Sequence, residues 1–586
     1  MHIKQRPFDE TIAAKLISDN VNPLMARLYA ARGVLTKSQL ESSLAQLIPP
    51  EQLTNNSKMA ILLADAIAQN KKLLVIGDYD ADGATATAVA VKGLTSMGAN
   101  VDFLVPNRFE YGYGLTPEIV QLAARGVQAS QNGQTSTLKP DILITVDNGI
   151  ASSDGVAAAN LLGLQVLITD HHLPADMTPA AACIVNPNQH GCTFKSKNLA
   201  GVGVMFYVLL ALRAELRNRG EFVEKQEPNL TELLDLVALG TVADLVKLDA
   251  NNRILVEQGL RRIRAGKACA GIKALLQIAG KTTEKVTAQD FGFAVGPRLN
   301  AAGRLDDMRL GIACLLDETE SDAMQKAQTL HELNMERRNI EADMQECALI
   351  SLENIDVAEN YSLSMYNADY HQGVIGILAS RLKDKYHRPT IVFADAGIVN
   401  ADLTDANEPN KILKGSGRSI ANFHLRDALD LITKRHPNLI IKFGGHAMAA
   451  GLSIKQADFA AFQNAFETVA RELLTKADLQ VVIETDGCLN ASEMSLQTAQ
   501  LLANQVWGQG FKAPLFVDNF KVINQRILKE KHLKLILEKD ATRFDAIYFN
   551  CTDNLNDLAN VVYTLEVNEY KGLQTLQLLV KHVLSV

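Results

Sequence analysis

No apolar run in this 586-residue chain reaches the ~18 residues that a membrane-spanning helix needs, so a bundle of membrane helices is excluded. The first ten residues, Met1-His-Ile-Lys-Gln-Arg-Pro-Phe-Asp-Glu10, contain no apolar signal core. Cysteine is sparse: there are seven, an odd number, and the closest pair, Cys183 and Cys192, is nine positions apart. Without a CxxC pair, a zinc ribbon and a thioredoxin-like redox motif drop out. A reducing cytoplasm is the expected location. The chain has no Walker A loop, and Gly201-Val202-Gly203 has Phe206 where a third dinucleotide-fingerprint glycine would stand. No internal repeat and no low-complexity tail is present. The net charge of −8 speaks against a uniformly basic nucleic-acid binder. It still allows a groove lined locally by Arg and Lys.

With 47% hydrophobic and 21% charged residues, the chain is a soluble globular protein by composition. Its length calls for about two to four cores. Residues 1–54 read as a mixed helical segment without site chemistry. Residues 55–270 alternate short apolar runs with helix-like stretches. The strand candidates are Leu73–Ile76, Val101–Val105, Ile142–Val146, Val166–Thr169 and Ala182–Val185. That alternation predicts a parallel sheet with helices on both faces, whose sites lie beyond the carboxyl ends of the strands. Residues 271–355 are expected to be a helical connector, because Asp317–Glu353 lacks Gly and Pro and predicts one helix roughly 50 Å long. Residues 356–455 read as a second, smaller, Gly-rich α/β unit. In 456–586 the β-rich runs Val481–Glu484, Leu515–Ile523, Leu533–Leu537, Ala546–Phe549, Val561–Val567 and Leu576–Val580 suit a small barrel. Polar stretches at Gln131–Pro140 and Asp395–Lys411 read as surface loops.

Three of the strand candidates run into carboxylates or imidazoles: Asp78-Tyr-Asp80-Ala-Asp82-Gly83, Asp147-Asn148-Gly149 and Asp170-His171-His172. Such groups at the ends of buried strands are costly unless something binds them. One Asp-rich turn alone would be an ordinary solvated loop, whereas three at three strand ends predict a shared metal site. On an extended segment, Asp78, Asp80 and Asp82 would point one way. An EF-hand is excluded, because position twelve from Asp78 is Val89 and a strand precedes the motif. Asp244 is a further candidate. Asp235, nine residues earlier, falls on the opposite face of a regular helix, so only one of the two should reach the site unless Gly240 breaks the helix. Carboxylates with imidazole and without thiolate favour Mg2+ or Mn2+, and six or more ligands make two ions plausible.

In order, Asp78–Gly83, Val146–Gly149, Asp170–His172 and Gly240–Asp244 resemble the motifs of the DHH phosphoesterase superfamily. Gly296–Arg304, Leu333–Arg338, His371–Gly376 and Gly444–Gly451 are similar to those of its RecJ-type single-stranded-DNA exonucleases. The resemblance runs from about residue 50 to the C-terminus. It implies a parallel-sheet DHH domain and a smaller α/β DHHA1 domain joined by a long helix, followed by an OB-type barrel. It also implies a 5′-to-3′ exonuclease that releases mononucleotides from single-stranded DNA in recombination and repair, in the company of a helicase and a single-strand-binding protein. A monomer fits the multi-lobed plan. Carried onto this sequence, Asp78, Asp80, Asp82, Asp147, His171 and Asp244 stand at metal positions, with Asp80, Asp82, Asp147, His171 and His172 catalytic. His172 stands where it would contact the scissile phosphate.

The substrate-binding candidates are Arg108, Arg298, Asn300, Arg304, His371, Arg418, Ser419 and His446. Gly415-Ser-Gly-Arg-Ser419 has the composition of an oxyanion nest. Arg304, Arg418 and Ser419 are expected to hold a 5′-phosphate. In the barrel, Lys521, Arg526, Lys529, Lys531, Lys534, Lys539 and Arg543 gather positive charge. Phe511, Phe544, Tyr548 and Tyr570 are either base-stacking platforms or core, and Trp507, the only tryptophan, is expected to pack the barrel against its neighbour. One alternative function is a DHH-family phosphodiesterase for short RNA, cyclic dinucleotides or polyphosphate, but the C-terminal extension favours a long strand. Another is a non-catalytic replication scaffold, which would have lost carboxylates that are intact here.

Overall fold

The apolar runs expected to be strands form one parallel sheet in the computed structural model. Its strands are β1 (Lys72–Gly77), β2 (Asn100–Leu104), β3 (Ile142–Val146), β4 (Gln165–Thr169) and β5 (Cys183–Val185), in the order β2-β1-β3-β4-β5. All pairings in it are parallel. Every residue of β3 is buried, as in a sheet covered on both faces. The chain leaves β1 for the edge strand β2 and returns on the other side of β1 as β3. The strand order therefore reverses between β1 and β3, and a crevice opens at their carboxyl ends. Helix α1 (Ala81–Ser96) follows β1, and α2 (Gly201–Asn218) and α3 (Leu234–Ala243) pack against it.

The structure describes residues 2–107, 111, 113–131, 134–352, 357, 359–396 and 411–584. The chain divides into two units. One comprises Met1–His2, Ala301–Asp307 and Thr329–Val482; the other comprises Ile3–Asn300, Met308–Gln328 and Ile483–Val586. The parallel sheet belongs to the second, larger unit, as do the short helices Ala270–Ile278 and Arg309–Leu316. Those two helices were expected to be connector. Their apolar faces bury Ile272, Leu275, Ile312 and Leu315, so they are part of the core. The connector proper is α4 (Glu320–Leu352), a continuous helix of 33 residues. Val127–Gln131 and Gln134–Leu138 pair as an antiparallel hairpin rather than the expected loop. In the sequence they flank an Asn-Gly dipeptide, a strong hairpin signal. Most of the loop expected at Asp395–Lys411 lies outside the described residues.

The smaller unit holds a mixed sheet of β6 (Leu363–Tyr366), β7 (Thr390–Asp395), β8 (Ile412–Arg418), β9 (Lys442–Gly445) and β10 (Ala449–Lys455), in the order β9-β10-β8-β7-β6. Helix α5 (Ile375–Tyr386) and Met344, Ala348 and Leu352 of α4 share one core. Helices α6 (Leu425–Arg435) and α7 (Phe459–Leu473) share the other. Phe462, Ala465, Phe466 and Val469 of α7 are buried in that core, so a border at 455/456 cuts through it. The unit instead runs to Val482.

Five antiparallel and parallel pairings close the barrel: β11 (Phe516–Leu528), β12 (His532–Lys539), β13 (Thr542–Tyr548), β14 (Leu558–Tyr570) and β15 (Leu573–Leu584), in the order β11-β12-β13-β15-β14. The parallel contact of Ala546–Tyr548 with Leu578–Val580 completes the ring and leaves no open edge. Phe511 and Phe544 are 3% and 6% exposed, so they are core rather than stacking platforms. Tyr570 is exposed. Trp507 stacks on Phe511 at 5.3 Å, and Arg32 lies 5.1 Å over its ring.

The N-terminal segment has a structural task. Arg32 grips Asp486 with two hydrogen bonds, Nη1 to Oδ1 at 2.9 Å and Nη2 to Oδ2 at 3.0 Å, and both side chains are 2% exposed. Arg6 adds a third at 3.0 Å. Removing one partner strands a buried charge. Asp486→Ala should therefore lower unfolding free energy by about 3–5 kcal/mol, measured by urea denaturation; a loss under 1 kcal/mol would show the pair to be dispensable.

Candidate metal centre

Asp80 caps α1: its Oδ1 accepts from the amides of Asp82 at 2.9 Å and Gly83 at 3.0 Å. Because the helix begins at Ala81, the expected extended alternation does not hold. Asp78 and Asp80 face Asp147, while Asp82 lies in the first helical turn and faces His171 and Asp244. Ligand atoms within each of the sets Asp78-Asp80-Asp147, Asp82-His171-Asp244 and Asp147-His171-His172 lie within 4.8 Å of one another. His171 Nε2 is 3.1 Å from Asp147 Oδ1 and 3.5 Å from Asp244 Oδ2. Asp147 has φ +63°, a left-handed conformation that Asp tolerates better than most residues.

Much of the surrounding fold exists to hold these groups. Asp82 accepts the amides of Gly201 at 2.6 Å and Val202 at 3.0 Å from the start of α2. A Cβ on Gly201 would stand 2.5 Å from Asp147 Cβ, and one on Gly240 2.1 Å from Thr85 Oγ1 and 2.9 Å from Asp82 Oδ1. The two glycines thus let α2 and α3 reach the carboxylates. Asn300 Oδ1 accepts from Ala81 N at 2.8 Å, so this candidate substrate residue braces the Asp78–Asp82 loop. Asn186 Nδ2 donates to the His172 carbonyl at 2.9 Å, and Asn188 Nδ2 to that of His171 at 2.6 Å. Asn186 and Asn188 were absent from the sequence-based set. Their signal was available, since they follow β5, another strand end. Asp235 is buried on the far side of α3 and accepts from Cys269 N and Leu236 N. Of the two Asp candidates on this helix, Asp244 is the one at the site.

The two histidines differ. His171 turns to Asp147 and Asp244. His172 turns its Nδ1 to Asp170 Oδ1 at 2.8 Å, and the Tyr113 hydroxyl lies 3.2 Å from its Nε2. Asp170 also accepts from the amides of Ile150, His171 and His172. It thereby positions the pair rather than joining the ligand set. Burial alone would push Asp170 up, but the His172 bond and charge outweigh it and hold the carboxyl below its ordinary value. Burial opposes charge on His172, yet its bond to Asp170 and the field of Asp170, Asp78 and Asp80 raise it to about 9. Burial first, and repulsion from Asp80, push Asp82 up to about 7. Burial and neighbouring carboxylates push Asp147 and Asp244 well above the usual range.

The donor set fits divalent cations. Asp147 Oδ1 is buried and makes no hydrogen bond, and carboxylates with one imidazole suit Mn2+ or Mg2+. Asp78, Asp80 and Asp147 would hold one ion, and Asp82, His171 and Asp244 a second.

The remaining candidates distribute as follows. Arg108 lies outside the described residues. Arg298 Nη1 donates to the Ala294 carbonyl at 2.5 Å. In the smaller unit, Gly373 joins two candidates: its amide donates to His371 Nδ1 at 3.1 Å and its carbonyl accepts from Arg304 Nη1 at 3.1 Å. The backbone amide of His446 donates to the Ala449 carbonyl at 2.7 Å. The expected nest is not a loop. Gly415–Arg418 lies in β8, paired on both sides, so its amides are committed to the ladders. Ser419 is 1% exposed and donates its hydroxyl to the Phe423 carbonyl, so it is not placed to bind an anion. Period-two alternation puts Ser416 beside Arg418 instead, and Arg418 Nη1 reaches Ser416 Oγ at 3.2 Å. Burial holds the Arg418 guanidinium below its ordinary value. In the barrel, Lys539 pairs with Asp518 and Arg543 with Glu538, whereas Lys521, Arg526, Lys529 and Lys531 are exposed.

Comparison with known proteins gives three family matches: the DHH family N-terminal domain over residues 72–241, the DHHA1 domain over 359–472 and the RecJ OB domain over 485–582. The chain is 47% identical to the single-stranded-DNA-specific exonuclease RecJ of Salmonella typhimurium, over 99% of this chain and 98% of that one. It is 46% identical to that of Escherichia coli, over 100% and 99%. The Mn2+ complex of RecJ from Thermus thermophilus superposes with TM-score 0.80 at 27% identity, covering 100% of this chain and 79% of that one.

Buried carboxylates raised above their unfolded values bind more protons folded than unfolded, so the metal-free protein should lose stability as pH rises from about 4 to 7. Cations reverse that loss. Chelation should therefore lower Tm more at pH 8 than at pH 5.5, and calorimetric Mn2+ binding should release protons and weaken as pH falls through 7. Equal chelator effects at both pH values would refute the assignment.

Proposed function

Because the chain belongs to the RecJ family of single-stranded-DNA-specific exonucleases, we infer that the crevice at the β1–β3 switch point hydrolyses the phosphodiester bonds of a DNA single strand. The activity is metal-dependent, and the ion is Mn2+ or Mg2+. The observation that carries the reading is the convergence of Asp78, Asp80, Asp82, Asp147, His171 and Asp244 on one acidic centre. The RecJ OB match favours a long strand over a short RNA or a cyclic dinucleotide.

When bound, the ions supply Lewis acidity that activates water and stabilises charge on the scissile phosphate. The side chains do the rest. Water attacks phosphorus, the P–O3′ bond breaks, and the 3′ oxygen leaves as a hydroxyl. His172, hydrogen-bonded to Asp170, which favours its charged form, would stabilise the negative charge that builds on a non-bridging phosphate oxygen. Asp82, Asp147 and His171 hold the reacting centre, and Asp170, Asn186, Asn188 and Asn300 position them.

Release of mononucleotides from the 5′ end follows from a terminal-phosphate pocket in the smaller unit, built by Arg304, Arg418, Ser416 and His371. Arg298 and His446 are further candidate contacts to the strand. The domain division we favour is a catalytic DHH unit, the helix α4, a DHHA1 unit ending after α7 and a C-terminal barrel whose exposed lysines follow the backbone. The protein works as a cytoplasmic monomer on strands opened by a helicase and delivered by a single-strand-binding protein. Among the described residues no helix is long and apolar enough to cross a membrane.

The test incubates 5′- and 3′-labelled single strands, duplex DNA and RNA with Mn2+ or Mg2+. Mononucleotides should come from the 5′ end of single-stranded DNA alone. Asp82→Asn should cut turnover by about a thousandfold or more, equivalent to ~4 kcal/mol at the transition state, with the circular dichroism unchanged; undiminished turnover would sink the metal assignment. Arg418→Ala should raise KM about ten- to a hundredfold for 5′-phosphorylated strands, the scale of a charged hydrogen bond, and little for 5′-hydroxyl strands. Binding should weaken steeply with salt.

A further inference from the structure

Two large apolar side chains stand in solvent on chain segments that adjoin those carrying Asp244 and Asn300. Phe293 is 85% exposed and Leu245 is 69% exposed. Phe293 sits in a π-helical turn, Phe291–Val295, whose other apolar members, Phe291, Ala294 and Val295, are buried. Such turns recur at functional sites. Leu245 directly follows Asp244 and takes a left-handed φ of +60°. Both ends of the turn pack against the helix end that leads into Asp244. A Cβ on Gly292 would lie 3.8 Å from Val242 Cγ1, and one on Gly296 3.2 Å from Ala243 Cβ, so the turn packs on the last turn of α3, which delivers Asp244. Seven residues beyond Phe293, Asn300 holds the Ala81 amide in the Asp78–Asp82 loop. Phe293 therefore stands on a turn packed against the end of α3, where Leu245 follows Asp244 in the chain.

We propose that Phe293 and Leu245 form an apolar ledge on which the bases of the single strand rest while its phosphate occupies the metal centre. The inference rests on the exonuclease reading and adds how unpaired bases are recognised. The acidic centre repels every anion that metal does not neutralise, so phosphates are confined to the ions. What remains of a nucleotide a few ångströms away is its base, which has an apolar face whatever its sequence. An aromatic ring accepts any base, at about 1–3 kcal/mol per stacked base. In a duplex those faces are covered by neighbouring base pairs. The ledge thus accounts for indifference to sequence and preference for single strands without any base-specific hydrogen bond.

The test compares single strands with intact 5′-terminal bases and strands carrying tetrahydrofuran abasic residues at the first two positions. In the unaltered protein the abasic ends should lower kcat/KM about ten- to a hundredfold. In the Phe293→Ala, Leu245→Ala double variant the same replacement should change kcat/KM less than about threefold, and Phe293→Trp should restore the difference. Both side chains are exposed, so truncation leaves the core intact. An abasic penalty of the same size in the double variant overturns the ledge. An unaltered protein that degrades DNA strands without any abasic penalty also overturns it, while leaving the exonuclease reading in place. No hydrolysis of any strand defeats the exonuclease reading itself.

Discussion

Mutual repulsion among buried carboxylates is the constraint on which the rest of this structure depends. Asp78, Asp82 and Asp147 are 6%, 0% and 2% exposed, and Asp244 closes the same space. Charged oxygens so close, removed from water, are tolerable only when protonated or when divalent cations stand between them. The fold keeps them from relaxing apart. Amides at the start of α2 fix Asp82, the α1 cap fixes Asp80, and Asn300 fixes the loop between them. Such preorganisation costs apo stability and removes reorganisation from the reaction.

The same principle divides labour between adjacent histidines. Chain neighbours at a strand end point to different sides, so one imidazole faces the carboxylates and its neighbour faces Asp170. The glycines serve this geometry by absence: a side chain at Gly201 or Gly240 would occupy the space in which Asp147 and Asp82 stand.

Much was legible in advance, and for a shared reason. Strand positions followed from apolar runs, and the clusters at their carboxyl ends followed from the topology of parallel sheets. The opposite faces of Asp235 and Asp244 followed from helical period alone. The errors share a reason too. The extended reading of Asp78–Asp82 failed because a helix begins at Ala81. The oxyanion nest failed because Gly415–Arg418 is a strand whose amides are already paired. Phe511 and Phe544 read equally well as stacking platforms or core, and burial by distant residues decided for core.

By itself the sequence determined the ligand chemistry, the order of strands and helices and the presence of a long Gly-free helix, since these depend on residue type and local periodicity. Only tertiary structure decided which carboxylate faces which, that Asn300 braces a loop 219 residues away, that Ser416 rather than Ser419 accompanies Arg418, and that Phe293 stands in solvent while Phe291 is buried. Those outcomes depend on through-space contacts between segments far apart in the chain, and local pattern carries no information about which distant backbone will arrive to satisfy or bury a group.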